Sequence, residues 1–166
     1  KCAKKIVEIY QRYHALRGTQ VVFSDISTPN QQNFSIYRAL KEKLVELGIP
    51  AEEIAFAHDF KTPKQQTTMR LKMQSGKFRV LIGSTATAGQ GVNIQARLVA
   101  LHNLDTPWIP KDIEQRLGRI ERPGNMNATV YVYNYVTEGS FDAYMWQGIE
   151  RKADGYCLNT MPMTAM

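Results

Sequence analysis

Apolar positions along this chain switch between two periods. Residues 4–16 place Ile6, Val7, Ile9, Tyr10, Tyr13 and Leu16 at helical spacing, and the pattern stops at Gly18. Gln20-Val21-Val22-Phe23-Ser24 follows as a buried-strand run, then a loop over 25–30 with Pro29. Phe34–Leu47 is again amphipathic and helical (Ile36, Tyr37, Leu40, Leu44, Leu47), ended by Gly48 and Pro50. A short strand is predicted over 53–57. A helix over 63–74 opens with Thr62 as N-cap and Pro63 at the first helical position. Strands are predicted over 78–83, 96–102 and 128–136, and helices over 113–120 and 140–151. Strands alternating with helices in this way predict a mainly parallel sheet covered on both faces, a three-layer α/β/α domain. In such sheets ligands bind beyond the carboxyl ends of the strands, which groups the loops at 24–30, 83–93 and the segment leading to Arg122.

Composition changes this picture little. The 166 residues suit one domain that buries about 70% of its unfolded surface. Lys+Arg number 21 against 15 acidic residues, a net charge of +6 that suits contact with a polyanion. The two cysteines, Cys2 and Cys157, are far apart and in no metal-like spacing, so a reduced, cytoplasmic setting is expected. No apolar run reaches membrane-spanning length, and the first residues lack the apolar core of a signal peptide. The chain opens on Lys1, which reads as an excised piece of something larger.

The chemistry concentrates in two segments. Gln115-Arg116-Leu117-Gly118-Arg119-Ile120-Glu121-Arg122-Pro123-Gly124 sets three arginines within seven residues. On a helix Arg119 and Arg122 share one face, and each planar guanidinium can hold two phosphate oxygens. A solvated basic face pairing with Glu114 and Glu121 is the competing reading. The second segment runs from Ser84 to Ile94. Gly89 and Gly91 there allow close backbone approach, Ser84, Thr85 and Thr87 offer hydroxyls, and its amides can cradle phosphate oxygens. A tight strand-to-helix turn would look the same. No Gly-x-x-x-x-Gly-Lys-Ser/Thr loop is present and no Asp-Glu dipeptide follows a strand, so no residue is assigned to a metal. Phosphate-facing arginines without the parts that hold nucleotide and metal are half of a nucleotide triphosphate site.

Taken together, these segments resemble the second RecA-like domain of superfamily-two helicases and translocases, nearest the Swi/Snf-type ATPases. Gln115-x-x-Gly118-Arg119-x-x-Arg122-x-Gly124 is similar to that family's motif VI. Ser84-Thr85-x-x-Ala88-Gly89-x-Gly91-Val92-Asn93-Ile94 resembles motif V, and Val21-Val22-Phe23-Ser24 fits motif IV. Asp105-Thr106-Pro107-Trp108-Ile109-Pro110 looks like the Asp-x-Pro-Trp-x-Pro segment between motifs V and VI. The resemblance implies that Arg122 is an arginine finger, Arg119 its companion at the γ-phosphate, and Gln115 a positioning residue. Gly89, Gly91, Asn93 and Gly118 would serve the nucleotide side. ATP and Mg²⁺ would be held mainly by an N-terminal RecA-like domain of the same polypeptide. On this reading residues 1–18 are a helix or linker from that first domain, 19–153 the second motor domain, and 154–166 a tail that frays or leads into further sequence. Pro123 directly after the finger and Glu121 between the arginines depart from the family's pattern.

Nucleic-acid phosphates are met by Lys, Arg, Ser, Thr and backbone amides, which makes Ser24, Thr28, Asn30, Lys61, Lys64, Thr85 and Thr87 the candidates. Lys61 and Lys64 equally suit a solvated helix start. His58 and His102 read as satisfied sheet-edge histidines, and the alternating Tyr131, Tyr133 and Tyr135 as core. The expected function is an ATP hydrolase acting on DNA, with RNA left open and no membrane, inactive as an isolated fragment. Two alternatives stand beside it. One is a non-catalytic nucleic-acid-binding module. The other is the helicase-like part of a fused adenine DNA methyltransferase, since Asn103-Leu104-Asp105-Thr106-Pro107-Trp108 faintly resembles an Asp-Pro-Pro-Tyr/Trp site, although Thr106 replaces its first proline and no Phe-x-Gly-x-Gly turn appears.

Overall fold

Adjacent residues of two interior strands face opposite layers, and both layers are apolar. In β1 (Thr19–Phe23), Val22 packs with Ile6, Ile9 and Tyr10 of α1 (Cys2–Arg12) and with Tyr37 and Leu44 of α2 (Ile36–Glu46). Val21 and Phe23 pack on the other side with Met69 and Met73 of α3 (Pro63–Gln74). The same division recurs in β3 (Val80–Gly83), where Val80 and Ile82 face one layer and Leu81 the other. Strands buried on both faces lose the polar alternation of an exposed sheet, as the sequence pattern foretold.

The computed structural model describes residues 1–25, 35–89, 93–105, 110–118, 123–137 and 158–163. Its remaining strands are β2 (Ile54–Phe56), β4 (Leu98–Asn103), β5 (Tyr131–Thr137) and β6 (Leu158–Met163). The sheet order is β2-β3-β1-β4-β5-β6, and every pairing is parallel. Two shorter α-helices are α4 (Thr85–Gly89) after β3 and α5 (Pro110–Leu117) after β4, and single 3-10 turns lie at Ala51–Glu53, Ala57–Asp59 and Gln95–Arg97. The predicted helix over 140–151 lies outside the described residues, as does the end of the helix predicted to run to residue 120.

One element was not foreseen. β6 lies in the tail that the sequence left without an element, and pairs with β5 from Val132↔Leu158 to Thr137↔Met163. It carries Pro162, which suits only an edge strand and hides it from a pattern search.

At the amino-terminal ends of the strands, arginines donate to carbonyls at helix ends and in the turns that follow them. Arg79 is fully buried; it donates to the carbonyls of Gly18 (2.6 Å) and Tyr10 (2.9 Å) and lies over the Tyr10 ring. Arg17 donates to Gly76 O, and Arg97 to Gln74 O and Leu16 O. These contacts take up carbonyls that a helix end and the turn after it leave without partners.

Candidate functional site

The opposite rim, at the carboxyl ends of β1, β3 and β4, is built around Arg116. Its side chain is 1% exposed, and all five of its N–H donors are used. Nε donates to Thr85 Oγ1 (2.8 Å). Nη1 donates to Asn103 Oδ1 (2.9 Å) and the Asp105 carbonyl (3.2 Å). Nη2 donates to Asp25 Oδ2 (2.6 Å) and Asp105 Oδ1 (3.1 Å). The guanidinium also lies over the Phe23 ring. A charge this deeply buried is tolerated because two carboxylates and three neutral oxygens surround it.

The acceptors are themselves held in place. Asp25 Oδ1 accepts the Thr85 N–H (2.7 Å), and Thr85 Oγ1 donates to Asp25 Oδ2 (2.7 Å). Burial alone would raise the Asp25 pKa, but the two Thr85 hydrogen bonds and the Arg116 charge hold it below the ordinary aspartate value. Asp105 Oδ2 accepts from Ser24 Oγ (3.1 Å) and from the Asp25 N–H. Asn103 Nδ2 donates to Asn134 Oδ1 (2.8 Å), which fixes the Asn103 amide with its oxygen toward Arg116. Tyr37 donates to the Ser24 carbonyl from the opposite layer.

Beside this network lies a groove of about 590 Å³ lined by Ala57, His58, Phe60, Lys61, Gln66, Ala86 and Thr87. Two helix starts flank it. At α3, Thr62 Oγ1 accepts the Gln65 N–H while Gln65 Oε1 accepts the Thr62 N–H, a complete capping box. At α4, Thr87 Oγ1 accepts the Ser84 N–H and Ser84 Oγ accepts the Thr87 N–H. Lys61 and Lys64 are both exposed. Among the described residues no three His, Cys, Asp or Glu side chains come together as a metal site, and no helix is long and apolar enough to cross a membrane.

The helicase conserved C-terminal domain family matches residues 4–124. The chain belongs to that family. Among relatives, this helicase C-terminal domain is 38% identical over 80 residues to "Defense against restriction protein B" of Escherichia phage P1, covering 48% of this chain and 4% of that protein. It is 34% identical over 116 residues to "Uncharacterized ATP-dependent helicase YqhH" of Bacillus subtilis (strain 168), covering 68% of this chain and 20% of that protein. The chain therefore spans a fifth or less of the curated relatives it matches. Its fold is similar to the C-terminal part of the Fun30 ATPase domain, with a TM-score of 0.65 at 17% identity, covering 87% of this chain and 43% of that one. The architecture is thus the RecA-like α/β/α fold of helicase C-terminal domains.

Within this helicase C-terminal domain the predicted residues separate. Arg119, Arg122, Gly91 and Thr28 lie outside the described residues, as does Asn30. Gln115 is half-buried on α5, and Gly118 follows that helix with its N–H donating to Glu114 O (2.7 Å). Gly89 ends α4. Ser24 and Thr85, read from sequence as nucleic-acid contacts, are buried at 1% and 5% exposure with their hydroxyls engaged inside the Arg116 network. Thr87 and Lys61 do line the groove. Asn93 is set apart: its carbonyl accepts from Gln74 Nε2 at the end of α3, the region that Arg97 ties to Leu16 ahead of β1.

Histidine 102 also differs from expectation. β4 is an interior strand, so His102 is not at a sheet edge; it is fully buried between Gln20 and Tyr135. Arg116, Asp25 and Asn103 were not singled out from sequence. Arg116 had a signal, because positions 113, 116 and 117 fall on one helical face on which Ile113 and Leu117 are apolar.

Proposed function

We propose that this domain is the second motor of an ATP-dependent DNA helicase or translocase, and that it supplies the arginine finger, Arg122, with Arg119 as its companion. The placement of α5 carries the reading. Arg116 fastens that helix to the rim where parallel sheets take their ligands, and the chain leads from it directly through Gly118 to Arg119. Guanidiniums presented from there would stabilise charge developing on a γ-phosphate, an effect typically worth about 10³-fold or more in rate. Gln115, Gly89 and Gly91 would support the nucleotide side. The donor set of this chain, arginines and a glycine-rich turn, suits an anion, so Mg²⁺ and most of the ATP would be held by an N-terminal RecA-like domain of the same polypeptide. DNA phosphates would follow the groove of His58, Lys61, Gln66 and Thr87, beside the start of α3. A cytoplasmic setting belongs to the same proposal.

The test is DNA-stimulated ATP hydrolysis by the full polypeptide, wild type against Arg122→Ala. A loss of about 10³-fold with ATP binding retained supports the finger. Unchanged hydrolysis removes it. No hydrolysis by the wild type favours a nucleic-acid-binding module instead. The domain alone should turn over no ATP and bind DNA weakly, and robust turnover by it would refute the half-site.

A further inference from the structure

We infer that Arg116 is a positioning residue, the anchor that sets the direction in which Arg119 and Arg122 leave α5, and that it does not itself meet phosphate. The inference rests on the proposed function for its catalytic consequence, while the anchor itself follows from geometry alone. Sequence sets three arginines in one run and gives Arg119 and Arg122, which share a helical face, to phosphate, leaving Arg116 without a role. The structure keeps Arg116 apart from that pair, because every one of its donors is directed inward.

The acceptors come from three places in the fold: Asp25 after β1, Thr85 at the start of α4, and Asn103 with Asp105 at the end of β4. One side chain thus pins α5 to three strand ends. Such a fork has a fixed plane, so five bonds to three segments determine both where the helix sits and how it is rotated. Arg119 follows three residues further on, and the Gly118 N–H between them donates to Glu114 O (2.7 Å), so the helical bonding of the turn that Arg116 fixes continues to the residue before Arg119. Lysine cannot replace Arg116, since three donors on a single nitrogen cannot reach Thr85, Asn103 and both aspartates together. Thr85 is the most informative partner. Its hydroxyl accepts from Arg116 and donates to Asp25, so an isosteric valine breaks both bonds without changing side-chain volume.

The experiment uses the full polypeptide and two readouts. Hydrogen exchange of the amides in 111–118 reads the anchor. Steady-state ATP hydrolysis with saturating DNA reads its consequence. In Arg116→Lys and Thr85→Val, exchange in 111–118 should rise about tenfold or more while β1, β3 and β4 keep their protection. The kcat should fall about tenfold or more with KM for ATP within about twofold of wild type, the signature of lost alignment rather than lost ground-state binding. Thr85→Ser, which keeps the hydroxyl, should recover most of what Thr85→Val loses. Unchanged exchange in 111–118 overturns the anchor, and a raised KM with kcat retained makes Arg116 a phosphate ligand. If Arg116→Lys does not fold, Thr85→Val carries the test by itself. A wild type without ATPase activity sinks the proposed function, yet the exchange measurement still decides the anchor.

Discussion

His102 Nε2 lies 2.8 Å from Gln20 Oε1, and the direction of that hydrogen bond is fixed. Gln20 Nε2 donates to the Ile6 carbonyl (2.9 Å), so Oε1 faces His102 and accepts from Nε2–H. Nδ1 then accepts from Tyr135 OH (2.9 Å). The ring is a neutral imidazole stacked on Tyr133, and burial pushes its pKa down to about 3.

An acid-sensitive window follows. The folded pKa lies below the unfolded value, so the unfolded chain takes up a proton that the folded domain cannot. Stability from this group is intact above about pH 6.5 and is lost as pH falls toward 3, by at most about 1.4 kcal/mol per unit. Denaturant titrations at pH 7, 5.5 and 4.5 should show this slope in the wild type. In His102→Gln the slope should be shallower by about one proton; equal slopes would mean that His102 titrates freely.

The capping box at α3 should be measurable by itself. Thr62→Ala removes the acceptor for the Gln65 N–H and should lower the denaturation midpoint by the equivalent of about 1 kcal/mol with an unchanged m-value. Thr62→Ser should retain most of it. Because Lys61 precedes the cap, DNA affinity should weaken in Thr62→Ala as the first turn frays.

Gly83 closes β3 where two other elements crowd it. A Cβ there would sit 2.8 Å from Ala57 Cβ and 2.9 Å from Ala88 Cβ. Gly83→Ala should therefore cost about 1–3 kcal/mol by overpacking. The displaced element should be α4 or the turn after β2, which together wall the groove. Thermal denaturation reads the cost, and wild-type stability would show that the walls give way freely.

Lys61 is exposed at the groove and has no carboxylate among its described partners. If DNA phosphates follow that groove, Lys61→Ala should weaken binding evenly across sequences and reduce the slope of log K against log salt by about one. A sequence-dependent loss, or an unchanged slope, would move the DNA elsewhere.

Local features of this fold are legible in its sequence and distant ones are not. The helix at 63–74 matched its observed bounds because its cap and first proline are adjacent in sequence. The two apolar layers were legible because strand burial imprints itself on consecutive residues. The site was legible only in part. Gln115 and Gly118 stand in a linear motif, but the Arg116 network joins residues up to 91 positions apart, and no local pattern announces such a set. Ser24 and Thr85 suit nucleic-acid contact on sequence for the same reason: sequence gives the chemistry of their hydroxyls but not the carboxylates that occupy them. Likewise the interior place of His102 depends on strand order, which arises from crossovers and not from residues near position 102.

The arginines at both ends of the sheet bear on how its basic residues can be probed. Arg79 and Arg116 are interior, and Arg17 and Arg97 hold carbonyls at and just beyond the end of α3. Replacing Arg79 or Arg116 leaves buried oxygens without donors, and replacing Arg17 or Arg97 frees backbone carbonyls between segments, so a scan of basic positions would report folding lesions there before it reported ligand contacts. Lysines such as Lys61 and Lys64 do not carry that burden. A charge scan that sets these four arginines aside and begins with exposed cations such as Lys61, Lys64 and Arg38 reads the surface a polyanion sees.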